Sequence, residues 1–317
     1  MCIRDRGGAS MIASTNQTLF TDTLLGYGRR SSIGDTMKVA VSAPDRFVAP
    51  YIFEMLGDAA VEIPPEAMED SMTLDALLTS CTAIVHINSK PTDSAFGRDD
   101  RETLLRMREQ SRPILDAVDR HGELHLIIVG TLRVHPQWEP DEPYYGYDST
   151  LSPRDTAAEG QLWMEETALE RAQAERPVSI IRASNVQGVL LDGSEGNGLL
   201  HRWAMECMMG WVNIPGDGSD VKDFVHVQDL VSIIGAVLEN PPPTRESISV
   251  GSGKAISMTD LAAIYNQKTG CESEYGQDDS QEVFGIVDAR DLEMRLGFAP
   301  QISLEEMLEE AFEFAGH

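Results

Sequence analysis

Lysine is scarce in this chain: five residues, Lys38, Lys90, Lys222, Lys254 and Lys268, among 317. Lys and Arg together number 25 against 52 Asp and Glu, a formal net charge of −27. A surface so poor in cations repels phosphate backbones and anionic bilayers, which excludes nucleic-acid binding and membrane-surface attachment as main activities. Long apolar runs are missing too, since none approaches the roughly 20 residues of a membrane-spanning helix. The four cysteines, Cys2, Cys81, Cys207 and Cys271, stand far apart with no C-x-x-C pair. That spacing argues against a zinc site and fits reduced thiols in a cytoplasmic protein better than a disulfide framework. G-x-S-x-G and H-E-x-x-H do not occur, and Gly253-Lys254-Ala255 lacks the first Gly and the Ser/Thr of a phosphate-binding loop. Residues 1–36 mix Gly, Ser, Thr and Arg without period and without the apolar stretch of a secretory signal; they are expected to be a disordered tail or a misassigned start.

What is present reads as an ordinary folded chain, 42% hydrophobic and 24% charged. Apolar β-branched runs at 37–42, 82–88, 124–130 and 178–183 alternate with helical patterns at 73–79, about 99–120 and 155–175. Buried strands alternating with helices predict an α/β fold, a Rossmann-like doubly wound parallel sheet over 37–187. Beyond 188 the texture changes to Gly-rich loops, a Pro run at 241–243 and helices near 199–209, 229–239, 258–269 and 303–315, which predicts a smaller C-terminal α/β lobe of substrate-binding type over 188–317.

Five segments, in order, carry a family likeness: Thr82-Ala83-Ile84-Val85-His86-Ile87, Val129-Gly130-Thr131-Leu132-Arg133-Val134-His135, Ile181-Arg182-Ala183-Ser184-Asn185-Val186-Gln187-Gly188, Lys222-Asp223-Phe224-Val225-His226-Val227-Gln228-Asp229, and Asp288-Ala289-Arg290 with Leu296-Gly297-Phe298-Ala299-Pro300. From about residue 37 onward the chain resembles the extended short-chain dehydrogenase/reductases, the NAD-dependent epimerase/dehydratase group that acts on nucleotide sugars. The resemblance implies NAD or NADP as cofactor, a small-molecule substrate, and a homodimer through the 99–120 and 155–175 helices, with Leu162, Met164 and Leu169 as contacts.

The family's functional motifs are degraded here. Its G-x-x-G-x-x-G turn, whose missing side chains let backbone approach a pyrophosphate, aligns with Ala43, Arg46 and Ala49, and Asp45 adds a negative charge beside them. Arg46 either replaces the glycine cradle by pairing with a phosphate or points to solvent. The family's Y-x-x-x-K dyad, in which lysine lowers the tyrosine pKa so that a proton can move as hydride is transferred, aligns with Ala157 and Gln161, followed by Glu165. None of the tyrosines 27, 51, 144, 145, 147, 265 and 275 has a lysine four residues on. Glu62 is the only candidate ribose acceptor on the second strand, or an edge-strand charge facing water.

Several positions survive. By resemblance Thr131 is the hydroxyl that meets substrate, Asn185 faces both cofactor and substrate, and Lys222 stands at a phosphate-contacting arginine. His226 reads as a structural histidine, while His135 is a candidate substitute acid/base, with Glu159 or a lid tyrosine as other candidates. The 136–153 segment, with Trp138, Tyr144, Tyr145 and Tyr147 beside Glu139, Asp141, Glu142, Asp148 and Asp155, is expected to overhang the cleft, with Tyr145 against the substrate. The expected function is therefore a non-catalytic or weakly nucleotide-binding pseudoenzyme of the family. The alternative is an atypical NAD(P)-dependent epimerase/dehydratase or reductase acting on a nucleotide sugar or another small carbonyl or hydroxyl compound through Thr131 and a substitute acid/base.

Overall fold

The computed structural model describes residues 37–42, 47–87, 101–137, 141, 144–146, 148–276 and 285–316, within one compact unit, Met37–His317. Its centre is a six-stranded sheet of order β11-β6-β4-β3-β1-β2, parallel throughout. The strands are β1 (Val39–Ser42), β2 (Ala60–Glu62), β3 (Ala83–Ile87), β4 (His125–Thr131), β6 (Val178–Ala183) and β11 (Arg245–Val250). β1, β3 and β6 are buried along their whole length, as the mostly apolar strands of a sheet covered on both faces are, with the polar Ser42, His86, Ser179 and Arg182 buried among them. The chain runs from β1 outward to β2 and then crosses back to β3 on the other side of β1. This reversal puts the switch-point crevice at the carboxyl ends of β1 and β3, where Ser42 lies opposite His86.

The helices flanking the sheet are set by their caps. Asp70 accepts from the backbone of Met72 and Thr73 to start α2 (Ser71–Leu78), and Asp155 accepts from Ala158 N–H to start α4 (Thr156–Glu170). Helix α1 (Val48–Leu56) buries Val48, Ala49, Tyr51, Ile52 and Leu56, and α3 (Arg101–Arg120) packs along α4. Met164 is fully buried in the core below the sheet, so this residue, predicted as a dimer contact, is instead a packing residue; Leu162 and Leu169 are half-buried. The helix predicted over 155–175 stops at Glu170, and Gln173 and Arg176 bridge as a turn before β6.

A second sheet, order β12-β10-β7-β8, joins β7 (Asn185–Val189), β8 (Gly196–Asn197), β10 (Val221–His226) and β12 (Ala255–Ser257). Two short ribbons accompany it: β5 (Tyr144–Tyr145) with β14 (Ile286–Val287), and β9 (Trp211–Ile214) with β13 (Glu272–Tyr275). Helices α5 (Leu199–Met208), α6 (Val227–Glu239), α7 (Met258–Thr269), α8 (Ala289–Leu296) and α9 (Leu304–Ala315) complete the chain. Trp203, Phe224, Tyr265 and Phe312 anchor a core between α5, α7, α9 and the second sheet. β11 follows β10 in sequence yet closes the large sheet beside β6.

One expectation is overturned here. Cys207 and Cys271 are joined as a disulfide, with Cα atoms 5.2 Å apart, although 64 residues separate them. Parallel pairing of β9 with β13 brings the end of α5 against the start of β13, a proximity that spacing along the chain does not reveal. Cys81 is free.

Candidate functional site

The carboxyl end of β4 and the first two turns of α4 are where the resemblance places hydroxyl, tyrosine and lysine. Ala157 and Gln161 lie one turn apart on α4, both buried. Gln161 Nε2 donates to Glu165 Oε1 at 2.8 Å, and Arg182 Nε, on β6, donates to Glu165 Oε2 at 2.9 Å. The Glu165 and Arg182 side chains are 0% and 5% exposed, so the ion pair is sealed from water. Burial pushes the Glu165 carboxyl up, and the Arg182 charge and the Gln161 amide oppose that shift. Gly130 makes the arrangement possible: a Cβ there would sit 2.1 Å from Gln161 Nε2, so only glycine lets the amide lie against β4. Position 161 thus completes a buried network beneath the sheet.

Thr131 is separate from that network. Its hydroxyl accepts from Arg133 N–H at 3.3 Å and caps the short turn Leu132–Val134. His135 follows the turn and is fully buried, its ring stacked on Tyr145 with centroids 4.7 Å apart and planes 14° from parallel. Nδ1 bonds the Thr150 carbonyl at 3.3 Å, so Nδ1 carries the proton, and Nε2 has no hydrogen-bond partner among the described residues. Burial first, then the Arg182 charge, lowers the His135 pKa to about 4, which keeps the imidazole neutral near pH 7. His86, at the switch point, is likewise buried with its pKa lowered to about 4, its Nδ1 3.2 Å from Ser42 Oγ.

Tyr145 does not overhang an open cleft. It is buried, donates to the Pro136 carbonyl at 2.9 Å, accepts from Arg154 Nη2 at 3.2 Å, and packs with Leu132 and Val287. The pairing of β5 with β14 clamps it down, and Gly285, at φ 127°, is required because a Cβ would meet the ring at 2.1 Å. This corrects the expected substrate-facing position of Tyr145. Tyr144 is exposed, and Trp138 and Tyr147 lie outside the described residues.

Asn185 and Lys222 are brought together: Lys222 Nζ donates to Asn185 Oδ1 at 3.2 Å, and Asn185 Nδ2 donates to the Asp223 carbonyl at 2.9 Å. Lys222 is fully buried. The neighbouring Asp223 carboxylate accepts from Ser252 N–H and Oγ–H, Gly253 N–H and Val287 N–H, tying β10 to β14. His226 caps α6 through Gln228 N–H and turns Nε2 to Glu310 at 3.3 Å. Ala49 is buried in the first turn of α1, and Glu62 is exposed at the end of edge strand β2. Ala43 and Arg46 lie outside the described residues. The Glu165–Arg182 pair and the Asp223 hub were not singled out as sites from sequence; an arginine inside the apolar strand Val178–Ala183 was the available signal, since a buried charge requires a partner.

The profile of the NAD dependent epimerase/dehydratase family matches residues 65–251. A dTDP-glucose 4,6-dehydratase of Streptomyces griseus is 27% identical over 209 residues, 62% of this chain and 60% of that protein. A dTDP-L-rhamnose 4-epimerase of Burkholderia thailandensis is 29% identical over 163 residues, 48% of this chain and 44% of that protein. The chain thus spans less than two thirds of the length of these relatives. Among solved structures, MoeE5 in complex with UDP-glucose and NAD superposes with a TM-score of 0.70 at 19% identity, covering 88% of this chain and 98% of MoeE5. TunA, an NAD-dependent NDP-hexosamine 5,6-dehydratase, superposes with a TM-score of 0.72 at 21% identity, covering 88% of this chain and 97% of TunA. At such identities the structures speak for the fold alone, the Rossmann-like fold of extended short-chain dehydrogenase/reductases. With its profile matched over more than half the chain, the protein belongs to the NAD dependent epimerase/dehydratase family.

Proposed function

We propose that this chain is a non-catalytic member of its family, retaining the scaffold and at most weak nucleotide binding. One observation carries the reading: the positions that correspond to the dyad hold a buried alanine and a buried amide that is bonded to the Glu165–Arg182 pair. A ribose-holding ammonium and a phenol that passes protons are both missing there. The Thr131 hydroxyl caps a turn, Asn185 and Lys222 bond each other, and Tyr145 packs over His135. The described residues do not fit the grip on NAD or NADP that the family resemblance implies, and no reaction step is assigned through that cofactor. The partner class is a small-molecule ligand, together with a homodimer through α3 and α4, to which the half-buried Leu162 and Leu169 of α4 would contribute apolar contacts.

Calorimetric titration with NAD, NADH, NADP and NADPH, joined to a hydride-transfer assay on UDP- and dTDP-sugars, tests the proposal. The expected result is no turnover and no saturable binding at micromolar concentration. Turnover with any of these pairs refutes it. A second reading, the atypical enzyme, is favoured by one feature: the unpartnered, neutral Nε2 of His135 is a proton acceptor held in reserve. It requires activity that His135→Phe abolishes without loss of folding.

A further inference from the structure

Among the described residues nine large hydrophobic side chains are exposed, and four of them fall within seven positions: Met205 at 46%, Met208 at 57%, Met209 at 71% and Trp211 at 45%. Met205 and Met208 stand at i and i+3 on α5 and Met209 follows as its C-cap residue, away from the buried Trp203, Ala204 and Cys207. Gly210 then turns the chain into β9, where Trp211 and Asn213 face outward and Val212 and Ile214 inward. The parallel register sets Glu272 beside Trp211 and Glu274 beside Asn213, so the outward face of this ribbon adds two exposed carboxylates to the apolar row. Glu206 adds a third carboxylate at the helix end, and Arg202, one turn back, leans on it at 3.8 Å. The Cys207–Cys271 disulfide lies directly beneath, pinning the methionine turn of the helix to the residue that precedes Glu272.

We propose that this face is a docking surface for a basic amphipathic helix of a partner protein. Flexible, polarizable methionines with one aromatic anchor accept varied apolar side chains, and the carboxylate border selects cationic flanks. Charge complementarity decides the occupant. A second copy of this chain on a two-fold axis sets one carboxylate-bordered patch against an identical one, and an anionic bilayer meets the same repulsion. The surface shares no residue with the site of the proposed function, so either conclusion stands if the other falls.

The test uses a labelled synthetic helix of about 18 residues, five turns, with Leu and Trp on one face and Lys and Arg beside it, and a counterpart with Glu in place of every Lys and Arg. Fluorescence anisotropy against the whole protein is expected to show saturable binding of the basic peptide and none of the acidic one. Met205→Ser/Met208→Ser/Met209→Ser is expected to weaken binding by about tenfold or more. Glu272→Gln/Glu274→Gln is expected to weaken it less and to reduce its salt dependence. All five positions except Met205 are more than half exposed or lie on the exposed ribbon face, so folding is expected to survive, as checked by circular dichroism. No binding of the basic peptide, equal binding of both peptides, or binding indifferent to the methionine substitutions overturns the proposal. So does concentration-dependent self-association that the methionine variant abolishes, which reassigns the face to a second copy.

Discussion

Arg182→Met is the perturbation that bears most directly on why the dyad positions are filled as they are. Arg182 and Glu165 are 5% and 0% exposed and bonded at 2.9 Å. Removing the guanidinium leaves a carboxylate in the interior with the Gln161 amide still donating to it, and breaking one side of a buried pair costs about 3–5 kcal/mol. For a folded unit of this size that is a fall in Tm of roughly 10 °C. The loss should depend on pH in a definite sense. The Glu165 pKa is already raised by burial and rises further without Arg182. Between the unfolded value of about 4.3 and the raised folded value, the native state holds the extra proton, so its stability declines as pH rises. Urea midpoints of the variant should therefore lie closest to the parent near pH 5 and fall furthest below it near pH 8. Arg182→Met/Glu165→Leu removes both charges and should recover most of the loss, short of about 1 kcal/mol for the unmet Gln161 amide. A cost below about 1 kcal/mol with no pH dependence refutes the reasoning: the pair is then wet, and Gln161 is free to face the cleft.

The same network predicts that Gly130→Ala destabilises by about 1–3 kcal/mol, because its Cβ would lie 2.1 Å from Gln161 Nε2; adding Gln161→Ala should relieve that cost, and strict additivity in chemical denaturation would contradict it. If the proposed non-catalytic reading holds, Ala157→Tyr/Gln161→Lys should create no hydride transfer with NAD and dTDP- or UDP-sugars, followed by cofactor absorbance; turnover would show an intact cofactor site and refute that reading. His86, His125 and His135 each have a pKa lowered to about 4 by burial. Stability is then complete above about pH 6.5 and lost as pH falls toward 4, by up to about 3 kcal/mol per histidine; equal urea midpoints at pH 7.5 and 5 would contradict it. Peptide mapping without reductant should recover Cys207 linked to Cys271, and Cys271→Ser should cost about 4 kcal/mol by the loop-entropy argument; two alkylated thiols at those positions in the untreated protein would refute the pairing.

The large sheet was legible because its strands are buried on both faces, so β3, β4 and β6 read as short, mostly apolar runs without helical period, interrupted only by single polar residues such as His86, Ser179 and Arg182. The ends of elements were less legible: α4 stops at Glu170 because Gln173 and Arg176 pair as a turn, a local bond without a sequence signature. Tyr145 and the cysteines escaped for one common reason. Their environments are made by strand pairing between distant segments, β5 with β14 and β9 with β13, and two- to four-residue ribbons carry too little alternation to be read in advance. Met164 misled because an apolar residue on α4 serves equally for a dimer face or for the sheet below, and only the helix rotation distinguishes them.

The missing dyad reads differently once Gly130, Gln161, Glu165 and Arg182 are taken together. A lysine merely lost by drift leaves a vacant or solvated position, and an acid nearby remains free to titrate. Here the replacement amide is bonded to the acid, the acid is bonded to an arginine on the neighbouring strand, and a strand residue without a side chain makes room for the amide. Each of the four changes the cost of altering the others. Restoring lysine at 161 places a second cation beside Arg182 with one buried carboxylate to share, so reversal by a single substitution is unfavourable. Packing of that kind ties α4 to β6 and leaves neither a lysine nor a tyrosine at positions 157 and 161, the arrangement on which the proposed non-catalytic reading rests.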